Sequence, residues 1–129
     1  MNKSPLMLLA LLISGCATTY GPTWSEISGN RYYVTILDRR PAIIADVDGS
    51  SYSRSARPIK VDPGPHDILL DGASTTWPNS PLQKLSLNLE PCKRYYLNAQ
   101  FEDRVRPTWT PVVDYVEPIA GCPTTGRSP

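Results

Sequence analysis

Histidine and phenylalanine each occur once in this chain, cysteine three times, and charges of one sign never gather into a long run. Each scarcity closes a class of functions. With His66 as the single histidine there is no histidine pair for a zinc centre, and no C-x-x-C, H-E-x-x-H, G-x-S-x-G or EF-hand spacing is present. Thirteen Lys and Arg face twelve Asp and Glu, so no net field favours nucleic acid or an anionic membrane surface as a partner. The one long apolar run, residues 6–13, is far short of the roughly 20 residues that span a bilayer as a helix.

What the chain does have is punctuation. Fourteen prolines and eight glycines are scattered without a period, which suits loops between short elements and argues against long helices or a collagen-like tract. Lys3 ahead of the apolar run, followed by the small residues Ser14 and Gly15, has the order of an export signal. Ile13-Ser14-Gly15-Cys16 closely resembles the lipobox of bacterial lipoproteins. That resemblance implies cleavage after Gly15 and lipidation of Cys16. Two or three acyl chains then hold a protein firmly at a membrane, where one holds weakly. Ala17, where an inner-membrane retention signal would place Asp, implies the outer membrane, facing the periplasm.

The expected organisation is a signal helix over residues 1–15, a lipidated cysteine and tether over 16–30, a folded domain over 31–122 and a polar tail over 123–129. Removing 15 residues from 129 leaves 114, enough for one domain. Within the tether, Trp24 and Ile27 are expected to dock on the domain, the alternative being contact with lipid headgroups. With Cys16 assigned to lipid, Cys92 and Cys122 are an even pair in an oxidising compartment, and a disulfide is expected. A catalytic or metal-bound thiol is the alternative, and it lacks partners.

Seven strands are expected. Residues 31–37 are aromatic and β-branched; 42–47 end at the turn pair Asp48-Gly49; 59–61 lead into Asp62-Pro63-Gly64-Pro65, read as a tight reversal returning the chain as 66–70. Residues 50–58 read as a loop or short edge strand. Leu85, Leu87 and Leu89 alternate with polar residues over 85–90, and Tyr95, Leu97, Ala99 and Phe101 do so over 94–101. These two runs are expected to form a hairpin. Residues 109–116 supply the last strand, where Pro111 requires an edge or a bulge. The fold class is therefore all-β, a small antiparallel sandwich of immunoglobulin or prealbumin type, with a small barrel as the alternative.

Val47-Asp48-Gly49 and the run from Ile59 to Leu70 resemble the PEGA-type envelope domains of bacterial surface proteins, over about residues 42–101. The tetrapeptide that names them is absent here. The resemblance implies a small sandwich serving as an accessory or interaction module.

No catalytic residues, cofactor or metal site are expected. Asp46, Asp48, Asp62, Asp67 and Asp71 fall at strand ends, where aspartate satisfies turn backbone groups, and His66 follows a Pro-Gly-Pro turn. In Tyr32-Tyr33 and Tyr95-Tyr96, strand alternation places one ring outside the core. Tyr52, Trp77 and Tyr96 are the candidate ligand contacts, because exposed rings stack on sugars or peptide groups. The expected function is a membrane-anchored, non-enzymatic accessory or protein-interaction module. The alternative is a peptidoglycan or glycan-binding module.

Overall fold

In the computed structural model the described residues are 23–31, 34–72 and 80–123. Their elements are β1 (Ser25–Ser28), β2 (Arg39–Pro41), β3 (Ile43–Val47), β4 (Ser50–Ser55), β5 (Ile59–Val61), β6 (Gly64–Asp71), β7 (Gln83–Leu89), β8 (Lys93–Phe101) and β9 (Trp109–Pro118). They form two sheets, one ordered β4-β3-β6-β7 and the other built around β8, and neither closes into a barrel. In the second sheet β9 runs along one edge of β8, while β2 and β1 follow one another along its other edge and β5 lies beyond β1. Every pairing is antiparallel except that of β1 with β8. The architecture is the expected small sandwich.

The core lies between the sheets. Ile44, Ile68, Leu70 and Leu89 come from one sheet and Ile27, Tyr95, Leu97, Phe101 and Trp109 from the other, all buried. Alternation sends these residues inward, so the pattern read over 85–90 and 94–101 is a true two-face pattern.

Several expectations are corrected. Residues 34–38 form turns, not the end of a strand over 31–37. Their partner-bearing groups are absorbed by β8: Phe101 N donates to Asp38 O at 2.9 Å and Gln100 Nε2 to Leu37 O at 2.9 Å. Tyr32 and Tyr33 lie outside the described residues. Ser25–Ser28, assigned above to the tether, is instead the fully buried strand β1, inserted between β5 and β8. The expected docking of Ile27 is thus observed in its strongest form, at 0 % exposure. Residues 85–90 and 94–101 do not make a hairpin: β7 pairs with β6, and β8 pairs with β9. The turn at Pro91 and Cys92 carries the chain from one sheet to the other. The Asp62-Pro63-Gly64-Pro65 turn does the same, because β5 pairs with β1 and β6 with β3. Gly64 supplies the positive φ of 119° that this crossover needs.

Other expectations hold. Residues 50–58 contain the edge strand β4, and β9 pairs only with β8, so Pro111 sits on an edge. The irregularity in β9 falls between Val113 and Tyr115. Cys92 and Cys122 are joined, with Cα atoms 5.5 Å apart. The bond gathers three segments: Cys92 N donates to Trp24 O at 2.8 Å, and Ile119 N donates to Cys92 O at 3.0 Å. The start of β1, the β7–β8 turn and the C-terminal segment are therefore held as one pole.

Candidate functional site

One flank of the sandwich is sealed and the other is not. Trp109 fills the interior beside β7: its ring packs 6.1 Å from Phe101, and Nε1 donates to Pro81 O at 2.9 Å. Gly72 lies against it so closely that an added Cβ would stand 2.9 Å from Phe101 and 3.1 Å from Trp109. On the opposite flank, between β4 and β5, a groove of about 470 Å³ opens. Val47 and Asp48 from β3 and its turn, Ser50 and Tyr52 from β4, and Lys60 and Asp62 from β5 and its end line it. Thr23 and Trp24 form the rim where the described chain begins, and His66 closes the end.

The local sequence explains these positions. Trp24 immediately precedes β1, in which Ser25 pairs with Val61, so its ring falls beside β5. Lys60 Nζ sits 4.3 Å from the centre of that ring, a cation–π contact. Indole Nε1 donates to Glu26 at 3.0 Å. Tyr52 stands on the polar edge strand at 36 % exposure.

Beneath them, His66 is clamped at both nitrogens. Nδ1 faces Asp48 Oδ2 at 2.5 Å, and Nε2 faces the Asp62 carbonyl at 2.6 Å. Both partners are acceptors, so both contacts are satisfied together only by the doubly protonated ring. Burial pushes the imidazole down, yet the hydrogen bonds to Asp48 and to the Asp62 carbonyl outweigh it and raise its pKa above the usual value. Asp48 is held below the usual carboxylate range by the Asp67 backbone amide first, at 2.7 Å, and then by His66. Asp46 accepts from Gly49 N at 2.7 Å. Asp46 thus satisfies turn backbone, as expected, whereas Asp48 accepts from the Asp67 amide within β6, Asp67 accepts from the Ser86 hydroxyl at 2.6 Å and Asp71 pairs with Arg54 at 2.6 Å. A second, smaller hollow of about 330 Å³ lies on the far side of His66, bounded by Pro65, Ser86 and Asn88.

A different cluster covers the outer face of β8. Arg94 bridges Glu26 at 2.7 Å and Glu117 at 2.8 Å, and the Tyr96 hydroxyl donates to Glu117 at 2.6 Å. Burial pushes the Glu26 carboxyl up, but hydrogen bonds from Arg94 and Trp24 more than compensate and hold it low. Burial and the bond to Glu117 push the Tyr96 phenol up. Arg31 lies 4.1 Å from the centre of the Tyr115 ring.

Of the candidate contacts, Tyr52 lines the groove, and Tyr96 lies on the outer face of the other sheet, committed to Arg94 and Glu117. The two do not share a cavity. Cys16 and Trp77 lie outside the described residues. Tyr95 is buried and Tyr96 half-buried, as alternation requires. Sequence reasoning did not anticipate Trp24, Lys60 and Asp62 as neighbours of Tyr52. The signal was present in the alternation of Trp24, Glu26 and Ser28 about the inward Ile27, but it spans too few residues to stand out. Among the described residues, no three His, Cys, Asp or Glu side chains converge as a metal site. Compared with known protein families, curated proteins and solved structures, the chain matches none.

Proposed function

We infer that this chain is an envelope lipoprotein, anchored through lipid on Cys16 at the periplasmic face of the outer membrane. Its sandwich is a non-enzymatic accessory module whose groove meets a partner at that surface. Lys3, the apolar run and Ile13-Ser14-Gly15-Cys16, in that order, support the anchor. The non-enzymatic reading is carried by the commitment of His66 and Asp48. Both nitrogens of the histidine and both oxygens of the carboxylate already hold turns together. A general base needs a nitrogen within reach of a substrate proton, and this ring has none to offer.

The groove also lies where a membrane partner would find it. Trp24 stands eight positions after Cys16, and a chain of that length reaches at most roughly 30 Å. The groove rim is thereby confined to the neighbourhood of the bilayer surface.

Metabolic labelling with a fatty-acid analogue should mark the wild-type protein and fail to mark Cys16→Ser. Label persisting in that variant overturns the anchor. A photo-crosslinking residue placed at Ser50, on the groove wall, should give a discrete adduct in the intact envelope. Its absence under several growth conditions overturns the interaction module.

A further inference from the structure

The geometry points to the groove as a binding site for a neutral oligosaccharide, with the Tyr52 ring as stacking platform and Ser50, Lys60 and Asp62 as partners for sugar hydroxyls. This deepens the interaction-module reading and rests on it.

The first argument separates the polar atoms that hold the fold from those left to face a ligand. Asp48 and His66 are committed to each other, to the Asp67 amide and to the Asp62 carbonyl. Among the described residues no hydrogen bond or ring contact engages Tyr52, and the Asp62 carboxylate and Ser50 hydroxyl have no hydrogen-bond partner. Lys60 rests over Trp24, a contact that leaves its N–H groups free to turn outward. The committed pair makes a stiff floor under an uncommitted rim. An aromatic and aliphatic wall with a few convergent polar groups is the usual make-up of a small-ligand site, and about 470 Å³ lies within the usual size range.

The second argument is charge. With His66 doubly protonated, the form its two acceptor partners favour, Asp48 and Asp62 bring two negative charges to the groove and Lys60 and His66 two positive ones. A site balanced in this way gives no net attraction to an anion or a cation. The third argument is the kind of apolar wall, which includes the aromatic rings of Trp24 and Tyr52. Among the described residues Val47 and Val61 are the only aliphatic side chains lining the groove, and Val47 is buried. An acyl chain or a leucine-like anchor would find few aliphatic partners there. A sugar ring matches the wall instead, with its C–H face on an aromatic and its hydroxyls toward carboxylate, hydroxyl and ammonium.

Tyr96 provides the internal control. It is also a tyrosine on a sheet surface, but its hydroxyl is held by Glu117 at 2.6 Å and its ring lies 6.3 Å from Tyr115.

The test is a titration of the full-length lipoprotein in detergent micelles with a β-1,4-linked N-acetylglucosamine trimer and with a glucose trimer, read by tyrosine-ring NMR. Tyr52 signals should shift saturably with at least one trimer. Tyr52→Ala should weaken binding roughly tenfold, about the worth of one aromatic contact, while Tyr96→Ala should leave it within about twofold. No saturable shift with either trimer, or equal weakening in Tyr96→Ala, overturns the proposal. Binding of phosphatidylethanolamine vesicles or of an unrelated peptide at Tyr52, in place of the trimers, overturns it as well. If the trimers fail but the Ser50 crosslink captures a protein in the envelope, the saccharide assignment falls and the interaction module stands. If both fail, both fall.

Discussion

The two flanks of the sandwich meet the same need by opposite chemistry. Between β7 and β9, Trp109 lies at 2 % exposure against Phe101 and Gly72, and the indole N–H is satisfied by the Pro81 carbonyl. An apolar wedge of this kind excludes water and has no protonation state to lose. Between β4 and β5, His66, Asp48 and Asp62 hold the β3–β4 turn and the β5–β6 crossover together through charge-assisted hydrogen bonds. Such a clamp fixes geometry while leaving space above it, and it titrates. The sealed flank therefore belongs to stability, while the open flank leaves a groove of about 470 Å³ accessible from outside the molecule.

The largest expected effect breaks the seal. Trp109→Ala should destabilise the domain by about 3–5 kcal/mol, the range for removing a buried aromatic. Urea denaturation would measure it. A cost below about 1 kcal/mol, the size of an ordinary point substitution, would mean that the β7–β9 flank is not closed by this ring.

Next comes the pole shared by the disulfide and the groove rim. Cys92→Ser combined with Cys122→Ser opens a loop with a sequence separation of 30. The expected loss is about 3–4 kcal/mol in the chain-entropy model. The comparison is sharpened by the indole resonance of Trp24. The Trp24 carbonyl accepts from Cys92 N, so Trp24 should respond to the double substitution. Trp109, at the other flank, should respond little.

What was legible in the sequence follows the same division. The strands with inward alternation, Gln83–Leu89 and Lys93–Phe101, could be read because period-2 burial is imposed by the pleat itself. Their partners could not. Consecutive strands normally pair, and nothing in Pro91-Cys92-Lys93 announces that Cys92 takes a φ of 60° and directs the chain into the other sheet. Ser25–Ser28 was hidden for a related reason: Ser25 and Ser28 are buried by hydrogen bonds to the Glu90 and Ala56 carbonyls, so a central strand carries the composition of a linker. Residues 31–37 misled in the other direction. Their β-branched and aromatic residues suit a strand, but Asp38 at φ 58° and the capture of the Leu37 and Asp38 carbonyls by β8 turn the chain instead. Tyr52 was legible as an exposed aromatic, whereas its neighbours Trp24 and Lys60 arrive only through the β1–β5 pairing.

A smaller effect should separate the flanks by pH. The folded-state pKa of His66 lies above its ordinary value, so its contribution is fully present below about pH 6.5 and is lost as pH rises through the folded pKa. Wild-type Tm should fall across that window, and His66→Asn should remove that slope. Glu26 and Asp48 are shifted the other way. Their contributions are present above the ordinary carboxylate range and are lost as pH falls through their lowered values. A slope around neutrality that survives in His66→Asn would assign it to another group and end the distinction between a titrating and a non-titrating flank.

The smallest expected change in stability is at Tyr52, and its smallness is what matters. The ring stands on an edge strand at 36 % exposure, and no hydrogen bond among the described residues depends on its hydroxyl. Tyr52→Ala should therefore alter the urea midpoint by no more than the equivalent of about 0.5 kcal/mol, the usual range for surface substitutions. A bulky aromatic left uncommitted beside an open groove contributes little to the fold, which is the outcome the proposed ligand contact requires. If Tyr52→Ala proves as costly as a core truncation, about 2 kcal/mol or more, Tyr52 is packing for the β4 edge. The open flank would then be a second seal, built differently from the first.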